Sequence, residues 1–310
     1  MTTMHPDMQV LIDARAAAGE KGYDADGARR FWTAYTGALN QPCPSDMALR
    51  DAVIPTPDHQ VPVRIYRSAG GDEPRACILY LHGGGFMLGD LDSSDAIAWG
   101  FAQNTGAVVI SVDYRLTPGN PYPAAFNDSY GTLCHVAANP ADFGIDPDRI
   151  ALAGDSAGGN LSAAACLAAR DRGGPEIAAQ ALIYPGTSLD QSCPSYVEHA
   201  NSPGLTAEGT KKYRDLYLPN DRDTDDPYAR PVMAKEFSGL PPAWVHSAEI
   251  DPIRDDGRVY ASKLALAGND VTYREARGMI HGFMRARFTG EAARAEFDAI
   301  CGFLSLHLKD

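Results

Sequence analysis

One serine in the chain has neighbours that suit it to nucleophilic chemistry. The run Gly154-Asp155-Ser156-Ala157-Gly158 follows an apolar segment and precedes an alanine-rich helical stretch. A serine on a tight strand-to-helix turn needs a strained backbone, and flanking glycines remove the Cβ clashes that would forbid it. The helix N-terminus beneath the serine favours negative charge. The pattern predicts Ser156 as a nucleophile; the alternative is a glycine-rich turn whose serine only caps the helix.

A serine hydroxyl needs a base, and the base needs an orienting carboxylate. On a turn of this kind the three groups follow the chain order serine, acid, histidine. Only His281 and His307 lie after a carboxylate that itself follows Ser156 near the end of a late strand. His281 falls in a predicted loop over 278–283, whereas His307 falls among apolar residues of a predicted terminal helix. The order favours His281 as the base.

Four acidic residues compete to orient that base, namely Glu249, Asp251, Asp255 and Asp256. Functional side chains of open parallel sheets lie just beyond the carboxyl ends of the strands. Asp251 follows the predicted strand 243–248 in this way. Asp255 and Asp256 would lie one turn inside the next helix, where favourable charge at the helix N-terminus is a sufficient reason for them. Asp251 is the predicted acid, and Glu249 stays as the alternative.

A glycine run at the end of an earlier strand could bind the negative charge that forms in acyl transfer. The run His82-Gly83-Gly84-Gly85-Phe86 follows the predicted strand 76–81. Consecutive glycines leave backbone N–H groups free to approach a ligand, which an oxyanion hole requires. Loops of this kind act together with the N–H of the residue after the nucleophile, here Ala157.

The elements that must position these groups alternate between strands and helices. Two N-terminal helices are predicted over 7–20 and 26–39, and two segments of period two, 48–54 and 61–66, predict an antiparallel hairpin at a sheet edge. Short apolar runs then alternate with helical stretches, which indicates a largely parallel sheet covered on both faces. The predicted strands are 76–81, 107–112, 149–153, 178–184, 243–248 and 271–275, and the predicted helices are 93–105, 123–138, 158–171, 253–267 and 291–308.

The composition argues against several classes of partner. Of the 310 residues, 27 are Lys or Arg and 40 are Asp or Glu, so the net charge is -13. This excess repels nucleic acid and anionic lipid, and neither is an expected partner. The cysteines form no C-x-x-C pair, and the sequence shows neither a leader pattern nor a membrane-length apolar stretch, so we expect a cytoplasmic protein with reduced thiols. Neither a cofactor nor a metal is predicted.

Six motifs in order resemble the hormone-sensitive-lipase-like family of bacterial esterases, family IV of the α/β-hydrolase superfamily. The wording Gly-Asp-Ser-Ala-Gly resembles its GDSAG subgroup. The match runs from about residue 45 to the C-terminus, and its motifs are His82-Gly-Gly-Gly-Phe86, Asp113-Tyr-Arg-Leu116 with Pro121-Tyr-Pro-Ala-Ala125, Gly154-Asp-Ser-Ala-Gly-Gly159, Leu240-Pro-Pro242, Glu249-Ile-Asp-Pro-Ile-Arg-Asp255 and Gly278-Met-Ile-His-Gly-Phe283.

The resemblance implies an α/β-hydrolase fold, with a mostly parallel sheet, an antiparallel N-terminal edge, helices on both faces and a helical cap. It implies Ser156 as nucleophile, Asp251 as orienting acid and His281 as base. It also places Gly84 and Gly85 with Ala157 in the oxyanion hole. Three further residues belong to the motifs but are assigned no step of the reaction, namely His82, Gly83 and Asp155.

The same resemblance divides the chain into a catalytic domain, 46–185 with 236–310, and a cap. The cap consists of N-terminal helices in 1–45 and an inserted segment, 186–235, which lies in a stretch too long for an ordinary connection. Bulky groups of the cap are expected to wall the substrate pocket. They are Phe31, Trp32, Tyr35 and Leu205.

The expected activity is hydrolysis of short- to medium-chain carboxylic esters through an acyl-enzyme, with a small-molecule ester as partner. Amide or thioester hydrolysis with the same residues is an alternative, as is a ligand-binding protein without activity on the same scaffold. A homodimer is compatible with the sequence.

Overall fold

The centre of the protein is one sheet of eight strands, in a computed structural model that describes residues 3–19, 24–71 and 73–309. The strands are β1 (Ala48–Pro55), β2 (Gln60–Arg67), β3 (Arg75–Leu81), β4 (Val108–Val112), β5 (Ile145–Asp155), β6 (Ala179–Ile183), β7 (Ala243–Ile250) and β8 (Val271–Ile280). Their spatial order is β1-β2-β4-β3-β5-β6-β7-β8. β2 pairs antiparallel with both β1 and β4, and the pairs from β4 to β8 are parallel. The predicted antiparallel edge is confirmed.

Helices cover both faces of this sheet, as predicted. In the described part of the chain they are α1 (Gln9–Ala17), α2 (Ala25–Gly37), α3 (Leu91–Thr105), α4 (Ala124–Ala138), α5 (Pro140–Phe143), α6 (Ala157–Arg172), α7 (Ser195–Glu198), α8 (Ala207–Tyr217), α9 (Arg254–Leu266) and α10 (Glu291–His307). Three short 3₁₀ helices lie at Pro6–Met8, Pro231–Met233 and Phe283–Ala286. The helix predicted over 7–20 therefore begins as a 3₁₀ turn, and residue 20 lies outside the described residues.

The strand β3 shows how the sequence fills both faces. Alternate side chains of a strand point to opposite faces. Cys77, Leu79 and Leu81 pack in a cluster with α4, α6 and α9, while Ile78 and Tyr80 pack in a second cluster with α1, α2, α3 and α10. Because both faces are apolar and buried, the strand is a continuous apolar run, which is the pattern that predicts a central parallel strand.

The end of β8 differs from the prediction. The sequence predicts a loop over 278–283, but β8 continues to Ile280, which pairs with Ile250 of β7. The pairing shifts register before Ile250, and Gly278 has a φ of 68°. The glycine therefore marks an irregularity inside a strand rather than the start of a loop. His281 follows β8 directly.

The segment 186–235 carries α7, α8 and one 3₁₀ helix, and the rest of it is irregular. It meets the catalytic half of the chain through an aromatic pair, since the rings of Tyr217 in α8 and Phe86 after β3 stack at 3.7 Å. The division into a cap and a catalytic domain at the stated boundaries stays a prediction. Across the described residues, no helix is both long enough and apolar enough to cross a membrane.

Candidate active site

Ser156 lies on the turn between β5 and α6. Its backbone has φ 58° and ψ −116°, and its N–H donates to the carbonyl of Ile183 at 2.8 Å. Positive φ is rare for a residue with a side chain and marks a strained position. The flanking glycines are needed, because a Cβ on Gly154 would overlap the carbonyl of Gly158, and a Cβ on Gly158 would overlap the carbonyl of Leu81. The turn is as tight as the sequence predicts.

A continuous hydrogen-bond path runs from Ser156 to Asp251 through His281. The Nε2 atom of His281 lies 2.9 Å from Ser156 Oγ, and Nδ1 lies 2.6 Å from Asp251 Oδ2. With the ring proton on Nδ1, the imidazole donates to Asp251 and Nε2 accepts from the serine hydroxyl. Asp251 is fully buried, and its other oxygen accepts from the N–H of Ile253 at 3.1 Å. The ring is therefore held in one orientation.

The alternative residues considered for acid and base lie elsewhere. Glu249 accepts from the N–H of Gly278 at 2.6 Å and from Arg277 at 2.9 Å, and makes no contact with His281. His307 is the last residue of α10, where its ring lies 4.5 Å from the ring of Phe303. The structure thus brings Asp251, and not Glu249, to the histidine that follows β8.

Asp255 and Asp256 are not simple helix-terminal charges, which corrects the expectation for them. Both are buried in the first turn of α9. Asp256 accepts from the N–H of Ser188 at 3.0 Å and from its hydroxyl at 2.9 Å, and Asp255 accepts from the N–H of Ser195 at 3.0 Å. Burial raises the pKa of Asp256 to about 7. No local pattern in the sequence indicates these hydrogen bonds, because Ser188 lies 68 residues before Asp256 and Ser195 lies 60 residues before Asp255.

The glycine loop after β3 faces the same site. Gly84 has φ 139° and Gly85 has φ 63°, conformations that side chains rarely adopt. Both residues, together with Ala157 at the start of α6, line the cavity that contains Ser156 and His281. Among the described residues, no protein acceptor binds the N–H of Gly84, Gly85 or Ala157. Three donors are therefore free to bind an anion in the cavity.

Asp155 connects the glycine loop to the turn that carries Ser156. One of its carboxylate oxygens accepts from the hydroxyl of Tyr80 at 2.7 Å and from the N–H of Gly83 at 2.9 Å. His82 packs beside this link, with its ring stacked 4.3 Å from that of Tyr114. Burial lowers the pKa of His82, which disfavours the charged form of its ring. His82, Gly83 and Asp155 therefore support the loop rather than line a reacting centre, except that Asp155 also borders the cavity.

The cavity has a volume of about 240 Å³. All four predicted wall residues line it, namely Phe31, Trp32, Tyr35 and Leu205. Leu216 of the inserted segment packs against a small cluster that includes Met87 and Leu88. Residues that sequence reasoning missed also line the cavity, and they include Arg15, Tyr184, Leu189, Tyr196, Arg214 and Arg285. Arg285 lies four residues after His281, yet no pattern in the sequence singles it out.

The chemistry available here is that of a hydroxyl, an imidazole and a carboxylate in series, facing three backbone donors. Such a set suits nucleophilic attack on a carbonyl carbon with proton transfer by the histidine. No group of three or more His, Cys, Asp or Glu within the described ranges could hold a metal ion.

Comparisons with known proteins show the family to which this chain is similar. A family model described as the alpha/beta hydrolase fold matches residues 78–285. Carboxylesterase NlhH of Mycobacterium tuberculosis is 42% identical over 236 residues, which cover 75% of this chain and 74% of that protein. The ethyl acetate hydrolase of Pseudomonas putida is 33% identical over an alignment of 325 positions, gaps included, which covers 99% of this chain and 100% of that protein.

The crystal structure of a thermostable esterase from Pseudomonas putida ECU1011 has a TM-score of 0.94 and 29% identity, and covers 99% of this chain and 98% of that chain. The family resemblance of the sequence is thereby confirmed, and the GDSAG subgroup stays a prediction. The chain belongs to the α/β-hydrolase-fold family of carboxylesterases, the hormone-sensitive-lipase-like group.

Proposed function

We propose that the chain hydrolyses small-molecule carboxylic esters with short- to medium-chain acyl groups, through an acyl-enzyme formed on Ser156. The observation that carries the proposal is the hydrogen-bond path of 2.9 Å and 2.6 Å from Ser156 through His281 to Asp251, at the wall of a cavity. The names of the relatives, a carboxylesterase and an ethyl acetate hydrolase, support the ester as substrate.

In the first step Ser156 Oγ attacks the ester carbonyl carbon, and His281 Nε2 takes the hydroxyl proton. A new C–O bond forms while the carbonyl π electrons move to oxygen, giving a tetrahedral oxyanion. Asp251 keeps its hydrogen bond to Nδ1 and stabilises the imidazolium that forms.

The oxyanion is bound by the N–H groups of Gly84, Gly85 and Ala157. Donors that are already in place need no reorganisation when the charge develops, and each lowers the barrier by about 3–4 kcal/mol. The N-terminus of α6 beneath Ser156 adds a favourable dipole.

The intermediate collapses when the bond to the leaving alcohol breaks and His281 gives that oxygen its proton. Water then attacks the acyl-enzyme, and His281 removes a proton from the water as it does so. The second tetrahedral intermediate releases the carboxylic acid, and the proton returns to Ser156 Oγ.

Substitution of the nucleophile tests the proposal. Ser156→Ala should lower kcat for p-nitrophenyl acetate by at least about a thousandfold, because the triad acts as a unit. Ser262→Ala is the matched control, since this exposed serine of α9 only donates to the carbonyl of Arg258. Near-normal turnover by Ser156→Ala would remove the mechanism.

A panel of ester, thioester and amide with the same acyl group separates the proposal from its alternatives. We expect the ester to have the largest kcat/KM. Its alcohol departs more readily than the amine of an amide, and the names of the relatives favour an ester over a thioester. A larger value for the amide or thioester would reassign the substrate class while keeping the residues. The cytoplasmic location, a homodimer and independence from metal stay predictions from the sequence.

A further inference from the structure

One wall of the cavity carries polar groups that ester hydrolysis does not use. Arg15 comes from α1, Trp32 and Tyr35 come from α2, and Arg285 comes from the 3₁₀ helix after β8. All four side chains line the cavity that contains Ser156. We call these four residues the polar wall.

Three buried atoms of the polar wall are hydrogen-bond donors without an acceptor. In the part of the chain that the structure describes, Nε of Arg15, Nε1 of Trp32 and the hydroxyl of Tyr35 are buried and have no partner. Tyr35 is only 1% exposed. No other side chain that lines the cavity has a buried polar atom left unpaired within the same ranges. Unpaired buried donors cost free energy, and a ligand that supplies acceptors removes that cost.

The polar wall also carries positive charge with no carboxylate in direct contact, although the buried carboxylate of Asp155 borders the same cavity. Arg285 is 6% exposed, donates from Nη1 to the carbonyl of Ser93 at 2.7 Å and lies 5.2 Å from the ring of Trp32. The Arg15 guanidinium lies 4.5 Å from the ring of Tyr35. No carboxylate of the described residues lies within 4.0 Å of either arginine.

Other buried arginines show the contrast. Arg230 pairs with Asp190 at 2.7 Å, and Arg254 pairs with Glu198 at 2.7 Å. Arg287 lacks a carboxylate within the described ranges, but three aromatic rings surround it and it lies outside the cavity. Burial lowers the pKa of Arg287 to about 10. Arg285 is therefore buried and lines the cavity, and no carboxylate of the described residues lies within 4.0 Å of its guanidinium.

The polar wall adjoins the reacting groups. A Cβ on Gly282, the residue after His281, would lie 4.0 Å from the hydroxyl of Tyr35. The ring of Tyr184 lies 4.7 Å from that of His281. Burial raises the pKa of Tyr184 well above its ordinary value, and the positive charge of Arg285 opposes that rise. The charge therefore acts in the same space that a bound ester would occupy.

We propose that the polar wall is a carboxylate subsite, so that the preferred ester carries a free carboxylate in addition to its ester group. A guanidinium matches a carboxylate in shape and charge. The three unpaired donors lie just beneath the cavity surface, and a small shift of their side chains would bring them to the carboxylate oxygens. Because the whole chain has a net charge of -13, its long-range field repels anions, and the attraction must come from contact within the cavity. The proposal rests on the proposed ester hydrolysis at Ser156.

Two pairs of esters test the subsite and locate the carboxylate on the substrate. The first pair is 4-nitrophenyl hydrogen glutarate and its neutral amide counterpart, with the charge on the acid part. The second pair is 3-acetoxypropanoate and 3-acetoxypropanamide, with the charge on the alcohol part. In at least one pair we expect the charged ester to have a kcat/KM about tenfold above that of the neutral one. Preference for the neutral ester in both pairs would overturn the proposal.

Charge-removing variants then assign the preference to the polar wall. Arg285→Gln and Arg15→Gln should each reduce the charged-to-neutral ratio of kcat/KM by about tenfold. Arg30→Gln, at an exposed position of α2, removes the same charge outside the cavity and should leave the ratio unchanged. An unchanged ratio in both cavity variants, or an equal loss in Arg30→Gln, contradicts the subsite.

Two further measurements keep the test decisive if Arg285→Gln does not fold. Arg15 is only partly buried, and Tyr35→Phe removes just one hydroxyl, so both variants are expected to fold. Tyr35→Phe should also lower the ratio, and glutarate should inhibit hydrolysis of the neutral ester more strongly than glutaramide does. Failure of the wild-type protein to hydrolyse any ester, charged or neutral, would instead contradict the proposed function.

Discussion

Asp155 illustrates what single residues contribute beyond the reacting groups. Its carboxylate joins the N–H of Gly83 and the hydroxyl of Tyr80 to the turn that carries Ser156. The pairing of Ser156 with His281 could be predicted from residue types and chain order, because a serine nucleophile needs a nearby base. The link from Asp155 to Gly83 could not, because it depends on the parallel pairing of β3 with β5.

Loss of the Asp155 carboxylate should affect the rate more than binding. Asp155→Ala leaves the N–H of Gly83 unpaired, so the glycine loop loses its alignment with Ser156, and we expect kcat to fall by about a hundredfold. Asp155→Asn keeps one oxygen as acceptor and should retain more of the rate. Steady-state kinetics on both variants measures this, and a wild-type kcat in Asp155→Ala would refute the positioning role.

A substitution in the glycine loop tests a second single-residue role. Gly84 has φ 139°, and a Cβ there would overlap the backbone carbonyl of Leu88, so Gly84→Ala must displace the loop. We expect a fall in kcat of about a hundredfold or more. Gly173→Ala is the control, since Gly173 has φ 60° with no atom within 4 Å of its Cβ position.

The control should cost about 1–2 kcal/mol of unfolding free energy without changing kcat/KM. Denaturant unfolding measures the loss of stability in the two variants, and initial-rate assays measure their loss of activity. Equal activity in Gly84→Ala and Gly173→Ala would mean that the loop does not stabilise the oxyanion.

Among elements, the connection after β6 depends on α9 for its position. Asp256 in the first turn of α9 binds Ser188, and the same segment supplies Leu189 and Tyr196 to the cavity. Apolar runs were enough to predict the central strands, because burial on both faces leaves a strong pattern. The path of residues 186–198 could not be predicted from the sequence. Two buried carboxylates hold this segment in place, and it has no periodic apolar face that would indicate its position. The Gly278 irregularity in β8 was missed because glycine also signals loops.

The buried carboxyl of Asp256 should make stability depend on pH. Its pKa of about 7 in the folded protein lies above the ~3.9 of an exposed aspartic acid, so the folded state binds this proton more tightly. The resulting stabilisation is complete below the unfolded value and is lost as the pH rises through about 7. We expect the unfolding free energy to fall as the pH rises from about 4 to about 7 and to level off above that.

Asp256→Asn cannot ionise, and its slope over this range should be flatter than that of the wild type. Asp298→Asn, at an exposed position of α10, is the control and should keep the wild-type slope. Urea unfolding at several pH values measures the slopes, and identical slopes in wild type and Asp256→Asn would show that Asp256 does not titrate there.

For the molecule as a whole, the site forms where the ends of β3, β5, β7 and β8 meet helices from both ends of the chain. The strand ends carry Gly84, Ser156, Asp251 and His281, while α1, α2 and α8 close the cavity over them. Chain order predicts the first set, because parallel strands share one carboxyl edge. The sequence does not predict that Arg15 and Arg285 line the cavity, because neither arginine lies in a recognisable motif.

The size of the cavity is expected to set the acyl preference. Each buried methylene adds about 0.8 kcal/mol, so kcat/KM should rise with acyl length until the wall is reached and then fall. The volume of about 240 Å³ and the aromatic wall favour a maximum at short to medium chains. Phe31→Ala should move the maximum to longer acids, and Phe143→Ala, a buried ring outside the cavity, should not. A series of p-nitrophenyl esters measures both; a long-chain maximum in the wild type contradicts this account.

Acid quenching during turnover of p-nitrophenyl butyrate, followed by peptide mass analysis, tests the central claim most directly. The covalent mechanism predicts one butyryl group, on the peptide and side chain of Ser156, and none in Ser156→Ala. A butyryl group on a different residue, or full turnover by Ser156→Ala, would contradict the mechanism.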